Sequence, residues 1–441
     1  MAALLLCFVF YQAAPNVVTT SPASSAIDCQ NAEGPTSNGQ TSSDRIAWLF
    51  PSLARGSYWH PLFSQFSQQY PNTTIYTGEW PGFAAGFEDD FSVEVVGETK
   101  ILHTSKADNG YSRTFIVPSW EIVPKLLAAK PDIIFTSAFS LWTAIALLFK
   151  FFYGTRVIVL FDGVSPGVDH LNSGFRVFPR RLMSKCINAF ITNSKAGKKY
   201  LVEVVRANSD RVYVQPYLVP DMSALNRNSP DNSPNNKTSL SKLSKASLSK
   251  ASLSKALPSN EKNNKPVFFF IGQIVPRKGL AYLIKACGLL KQQGYHFTLL
   301  IIGEGKERSA LEALARQHHL EDDIQWAGRV NYHQLGAYFE QADIFVFPTL
   351  EDIWGMVVPE AMTFGKPVLC SKWAGATEIV EDGNSGCIFD PRDVDQLAEL
   401  MSRFIEQPDL IDEMGDRAKQ LAANLTPQKA ATFFCKLTAT I

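Results

Sequence analysis

TLEDIWGMVVPEAMTFGKPV, residues Thr349 to Val368, reads as a strand end, a tight glycine turn and a short helix aimed back at that turn. Just before it, Asp343-Ile-Phe-Val-Phe-Pro348 runs apolar into a proline, as a buried parallel strand does. Gly355 lets the backbone bend sharply, and Pro359 falls in the first helical turn, where a missing N–H costs nothing. Gly365 and Pro367 stop the helix after two to three turns, and Pro367-Val-Leu-Cys-Ser371 restarts an apolar strand. The turn leaves the amides of Gly355, Met356 and Val357 outside the helical ladder, at the positive end of the helix dipole. That is an anion site. Asp352 and Glu360, eight residues apart, bracket it and can accept hydrogen bonds from sugar hydroxyls, so the pattern outlines a nucleotide-sugar.

The chain upstream supplies matching charge. Val267-Phe-Phe-Phe-Ile-Gly272 is a strand, and Leu280, Leu283, Ile284, Cys287 and Leu290 follow with helical spacing. Arg277 and Lys278 therefore lie in the loop at the strand's carboxyl end, where two cations offset the charge that builds on a leaving diphosphate. Phe297-Thr-Leu-Leu-Ile-Ile302 meets the turn Gly303-Glu-Gly305, and Ile324-Gln-Trp-Ala-Gly-Arg-Val330 is another strand and loop.

This set resembles the glycosyltransferase family 4 enzymes, whose signature is E-x7-E and whose fold is GT-B: α/β, two Rossmann-like domains facing a cleft, with the C-terminal helix crossing back to the first domain. Asp352 stands where the family has the first glutamate, and Gln273 where it has an arginine; Lys278-Gly279 and Gly303-Glu-Gly305 match. The resemblance implies that Glu360 holds the ribose and that Asp352 lies near the transferred sugar. It also implies that Arg329 and Val330 cradle the base. Gly272, Gly303, Gly355, Met356, Val357 and Glu378 are expected to line the donor, with helix capping the other role open to Glu378. Transfer is expected to retain anomeric configuration. No cofactor or metal is expected, because a helix terminus and a lysine can hold the diphosphate.

At 441 residues and 46% apolar content the chain has material for two domains. Lysine plus arginine and aspartate plus glutamate are both 42, so no global charge favours nucleic acid. Seven cysteines without paired spacing suit a reducing compartment, and the seven histidines, including His60, His103 and His170, lack metal spacing and most of them read as surface residues. A dehydrogenase would carry G-x-G-x-x-G after a strand and an NTPase G-x-x-x-x-G-K-[ST]; neither pattern occurs. Asp393-Val-Asp395, superficially the acid pair of a metal-dependent GT-A enzyme, sits where a helix cap belongs.

Five segments follow. Residues 1–44 lack any lysine or arginine and read as a disordered leader, a signal peptide being the alternative. Residues 45–225 form the acceptor domain, opening with the strand Arg45–Phe50 and continuing through strands at Ser92–Val96, Asp132–Thr136, Arg156–Phe161 and Asn188–Thr192. Here the family has a glycine-rich loop near the donor phosphates; this chain has one glycine there rather than a pair, so Arg55 and Gly56 are the candidates, with a plain turn as the alternative. The family's histidine after a strand of this half is absent; Phe161-Asp162 stand there, which makes Asp162 the candidate. Ser140–Tyr153 is apolar nearly all round and reads as a core helix, contact with a membrane or lipid acceptor being the alternative. Residues 226–265 are a Ser/Lys linker with eight cations against two acids. Residues 266–410 form the nucleotide-sugar domain, and 411–441 are terminal helices packing back on the first.

The expected function is transfer of a sugar from a nucleoside-diphosphate sugar to a hydroxyl acceptor, soluble or lipid-linked, in envelope polysaccharide or glycolipid synthesis. A non-catalytic nucleotide-sugar-binding protein of the same fold is the alternative. No segment reaches about 18 uninterrupted apolar residues, so the expected location is cytoplasmic, with peripheral contact at the inner membrane face as a variant.

Overall fold

A computed structural model describes residues 43–54, 56–84, 86–97, 100–106, 112–117, 119–164, 174–225 and 265–441. Arg55, nearly all of the leader and nearly all of the Ser/Lys linker lie outside the described residues. The first domain contains β1 (Ile46–Phe50), β2 (Thr73–Thr77), β3 (Ser92–Val95), β4 (Lys100–Lys106), β5 (Ser112–Val117), β6 (Ile133–Ser137), β7 (Arg156–Phe161), β8 (Ala189–Thr192) and β9 (Val212–Val214). The pair β4 and β5 is an antiparallel hairpin. The remaining seven form one sheet in the order β3-β2-β1-β6-β7-β8-β9. The helices that return the chain include α1 (His60–Gln69), α2 (Ile122–Ala129), α3 (Leu141–Tyr153), α4 (Gly174–Cys186) and α5 (Lys195–Lys199). The sequence reading lacks β2, β9 and the hairpin; β2, Thr-Thr-Ile-Tyr-Thr, is too polar to show as an apolar run although it is largely buried.

The second domain contains β10 (Val267–Ile271), α6 (Leu280–Gln292), β11 (Thr298–Ile302), α7 (Arg308–Gln317), β12 (Ile324–Gly328), α8 (Leu335–Gln341), β13 (Ile344–Phe347), α9 (Val357–Thr363), β14 (Val368–Ser371), β15 (Gly386–Phe389) and α10 (Val394–Glu406). Its parallel sheet runs β12-β11-β10-β13-β14-β15. The run Phe268-Phe-Phe270 is buried on both faces, as a central parallel strand requires: Phe268 and Phe270 join one core, Phe269 the other. The chain steps outward from β10 to β11 and β12, then crosses to the far side of β10 to make β13. Ligands of such sheets bind outside the carboxyl ends at that crossover.

Two helices close the chain, α11 (Asp409–Ala422) and α12 (Pro427–Thr440). Only α12 lies on the first domain. There Phe434 stacks on Trp48 with ring centroids 5.6 Å apart, and Tyr70 Oη donates to Cys435 O at 3.3 Å. In contrast α11 stays with the second domain, where Gly415 meets Gly365 so closely that a Cβ would stand 2.1 Å from its carbonyl oxygen.

Candidate active site

The loops that leave β10 and β13 are zipped together at the crossover. Leu350 N donates to Arg277 O at 2.7 Å, and the buried Thr349 Oγ1 donates to the same oxygen at 3.0 Å. Gly279, at φ +70°, lies so close that a Cβ would stand 1.9 Å from Pro348 O. Only glycine fits there, which explains the Lys278-Gly279 pair in backbone terms.

This zipper delivers the charged side chains to one point. Lys278 Nζ lies 2.5 Å from Asp352 Oδ2, and Arg277 Nη1 lies 3.3 Å from the same oxygen. Lys278 is buried, with Nζ 4.9 Å from the centre of the Phe347 ring. Burial lowers its pKa, Asp352 pushes it back up, and Arg277 lowers it again. One carboxylate thus holds two cations that have little solvent around them, an arrangement of net charge +1 open to a further anion.

Gly355 makes the turn at φ +94°, its α-carbon so near Phe347 that a Cβ would stand 2.6 Å from the ring. The ladder of α9 begins with Glu360 N donating to Met356 O at 3.2 Å, so the amides of Gly355, Met356 and Val357 precede it. Glu360 follows one turn later and is 3% exposed. Burial pushes its carboxyl up to about 8, against a weaker downward pull from the hydrogen bond that Tyr332 Oη donates to its Oε1 at 3.0 Å.

Ile353 and Trp354, inside the same loop, reach the first domain. Trp354 Nε1 donates to Leu218 O at 2.9 Å, and Gly163, at φ +143°, passes so close that a Cβ would stand 3.0 Å from Ile353 O. The Asp352 loop is therefore the floor of the cleft on one side and a contact with the opposite wall on the other.

The remaining candidates sort by position. Gly272 and Gly303 close the ends of β10 and β11 against each other: a Cβ on Gly303 would stand 1.8 Å from Gly272 O. Val330 packs on the core, while Arg329 is exposed beside it. Gly56 is a turn residue: its amide donates to Leu53 O at 2.8 Å, which removes it as a free phosphate donor. Asp162, at the carboxyl end of β7, accepts from Tyr217 Oη at 2.7 Å, and burial raises its pKa. Glu378 does not cap its own segment. Its carboxylate accepts from the amides of Lys195 at 2.6 Å and Ala196 at 2.8 Å, at the start of α5 in the other domain. Asp393 caps α10 by accepting from Gln396 N at 3.0 Å.

Residues 254–421, which contain Lys278, Asp352 and Glu360, match the family model described as Glycosyl transferases group 1. It is this second domain that is similar to the group 1 glycosyltransferases. Among similar proteins, alpha-D-kanosaminyltransferase of Streptomyces kanamyceticus is 26% identical over 161 residues, 36% of this chain and 42% of that one. Amylovoran biosynthesis glycosyltransferase AmsK of Erwinia amylovora is 34% identical over 140 residues, 30% of this chain and 34% of that one. The chain thus spans less than half the length of these relatives. Solved structures align over far more. Anabaena HepE with UDP and glucose gives a TM-score of 0.64 at 17% identity over 90% of this chain and all of that one. Sucrose-phosphate synthase of Thermosynechococcus elongatus gives 0.64 at 16%, over 90% and 98%. At such identity the likeness establishes the fold, which is GT-B.

Several residues around the group 1 motif carry no sequence signal that marks them. Thr349 and Tyr332 hold the Arg277 loop and Glu360, and Trp354 ties the two domains. His60 is the opposite of a surface residue. It is 1% exposed among the rings of Trp80, Phe83, Phe87 and Phe91, accepts from Ala84 N at 2.9 Å, and is pushed down to about 4 by burial. It is a neutral core residue, packed there because its aromatic neighbours outweigh the cost of burying one polar edge.

Proposed function

We propose that this protein transfers a glycosyl group from a nucleoside-diphosphate sugar to a hydroxyl acceptor, in envelope polysaccharide or glycolipid synthesis, with retention and without a metal ion. The observation that carries the proposal is the meeting of Lys278, Arg277, Asp352 and the Gly355 turn at the β10–β13 crossover, facing the other domain. The diphosphate would lie across the amides of Gly355, Met356 and Val357, with Lys278 and Arg277 on its oxygens and Glu360 on the ribose. As the bond from the anomeric carbon to the phosphate oxygen breaks, the acceptor oxygen bonds to that carbon on the same face. Its proton passes to a phosphate oxygen of the departing nucleotide, and the cations stabilise the charge that develops there. Closure of the cleft through Trp354 and Glu378 would exclude water.

UDP in the structure of HepE makes uridine donors the first to try, and AmsK, named for amylovoran synthesis, makes an envelope saccharide the first acceptor. Peripheral contact with a membrane belongs to the same proposal. The test is a panel of nucleotide-sugars with the purified protein, reading thermal stabilisation and nucleotide release with and without chelator. Stabilisation by one donor with chelator-resistant turnover supports the proposal; turnover abolished by chelator refutes the metal-free mechanism. Stabilisation without turnover on any saccharide or lipid-linked acceptor favours a binding protein, a reading encouraged by Asp352, which already neutralises one of the two cations.

A further inference from the structure

We propose that the side of the first domain formed by α4 and the end of α3 docks onto an anionic lipid bilayer. The inference deepens the peripheral-membrane part of the proposed function by naming the surface, and it holds or fails independently of donor chemistry.

Four observations meet there. The last two residues of α3, Phe152 and Tyr153, are 65% and 61% exposed, although the inner face of that helix is fully buried. Beside it, α4 carries Phe178, 64% exposed. The two helices pack together, and their ends coincide, since Lys150 of α3 donates to Asn188 Oδ1, two residues beyond the end of α4, at 2.6 Å. On α4, Phe178, Arg181 and Lys185 are exposed while Val177 and Ser184 are buried, which puts an aromatic and two cations on one outward stripe.

Charge supplies the choice of partner. The sequence of α4, GFRVFPRRLMSKC, holds four cations and no acid. From Gly174 to Arg211 there are nine lysines and arginines against Glu203 and Asp210, in a chain that is neutral overall. Exposed aromatic rings beside long cationic side chains suit the boundary between headgroups and acyl chains. There the rings leave water, and the cations reach anionic headgroups. A second copy of the chain fits worse, because a two-fold contact would set like charges against each other. α4 starts at the carboxyl, cleft end of β7 and runs back to the start of β8, while Phe152 and Tyr153 lie by the start of β7, at the end of the sheet opposite the cleft. A docked molecule would thus lie along the bilayer on this flank, with the cleft toward the Phe178 end of the patch; only the entry of a lipid-linked acceptor from that end rests on the proposed function.

The test floats the full chain with vesicles of neutral phosphatidylcholine, or of the same lipid with about 30 mol% phosphatidylglycerol, at about 0.1 M and about 0.5 M salt. Expected is flotation with the anionic vesicles, weakened by salt and at least about tenfold weaker with neutral ones. Phe152→Ser with Tyr153→Ser and Phe178→Ser should weaken it at least about tenfold. So should Arg181→Glu with Lys185→Glu, which keeps the rings and serves as the second variant if the first loses its circular dichroism. All variants keep the Ser/Lys linker. The proposal is overturned if the chain stays soluble with both vesicle types, or if both variants float like the parent. It is also overturned if light scattering shows a dimer that the variants dissociate and vesicles do not bind. Donor-dependent thermal stabilisation, measured on the same variants, should not change; its absence in the parent would count against the donor reading and leave this one standing.

Discussion

Lys278 Nζ and Asp352 Oδ2 lie 2.5 Å apart, 74 residues distant in sequence, at the only place where the loops of β10 and β13 share hydrogen bonds among the described residues. The lysine is buried against Phe347, and a lone ammonium there would lose its proton or unfold the loop. Asp352 works against that loss. In the proposed function a diphosphate would meet two ordered cations with little solvent around them, which is the condition for strong electrostatic stabilisation of a leaving group.

Lys278→Ala should therefore lower kcat at least about a hundredfold, the usual loss for one preorganised charge contact. Donor affinity should fall much less, because the Gly355 amides and Arg277 remain. Steady-state kinetics with the donor found by thermal shift will measure both; a rate within about threefold of the parent would remove Lys278 from the mechanism.

Asp352→Asn leaves Arg277 and Lys278 facing each other without their shared anion. Breaking such a pair by removing one partner costs about 3 kcal/mol, so the melting temperature should drop by several degrees. A nucleoside diphosphate brings negative charge to the same point and should raise the variant's melting temperature more than the parent's. Equal shifts in a thermal scan would mean that the diphosphate does not bind beside these cations.

Glu360 makes stability depend on pH in a defined direction. Its folded pKa, about 8, lies above the ordinary 4.5 because the carboxyl is buried, so between those values the folded protein holds a proton that the unfolded chain has lost. The stabilisation is complete below about pH 4.5 and is lost as pH rises through about 8. Glu360→Gln keeps a group able to accept from Tyr332 but cannot titrate. Melting temperatures measured from about pH 5 to about pH 9 should fall more for the parent than for the variant; parallel curves would show that Glu360 is ionised throughout.

The Thr349–Val368 unit was legible because its rules are local. Strand, φ-positive glycine, N-terminal proline and C-terminal glycine all act within a turn or two, and the structure has β13, the Gly355 bend, α9 and β14 in that order. Helical spacing after Lys278 placed the two cations in a loop, though not against Asp352. What stayed hidden were pairings between distant residues: Trp354 with Leu218, 136 positions away, and Glu378 with Lys195, 183 away. Neither leaves a periodic trace. His60 misled for a different reason, since its helix has no charge pattern to show which side is buried, and the rings around it come mainly from residues 80–91.

Gly355→Ala tests whether the turn itself holds the anion. The φ of +94° is costly for alanine, and the new Cβ would meet the buried Phe347 ring at 2.6 Å, so the bend must shift and carry the following amides with it. Nucleoside diphosphate binding by calorimetry should weaken at least about tenfold, by analogy with loss of oxyanion donors. Gly154→Ala at the end of α3, also φ-positive at +73° but with nothing near the added carbon, should cost stability and leave binding unchanged. Equal affinity in both variants would show that the Gly355 amides do not touch the diphosphate.

Glu378 separates a donor contact from a domain clasp. Its two oxygens accept from consecutive amides at the start of α5, across the cleft from its own domain. Those amides precede the helical ladder and carry the positive end of its dipole, so a carboxylate suits them and a neutral amide does not. Glu378→Gln loses the charge and turns one acceptor into a donor facing another N–H, which should loosen the closed arrangement that Trp354 also holds. Donor affinity should then stay within about threefold, while kcat falls about tenfold and the radius of gyration from solution scattering increases, because closure rather than binding limits water exclusion. A tenfold loss of affinity at an unchanged radius would instead put Glu378 on the donor sugar.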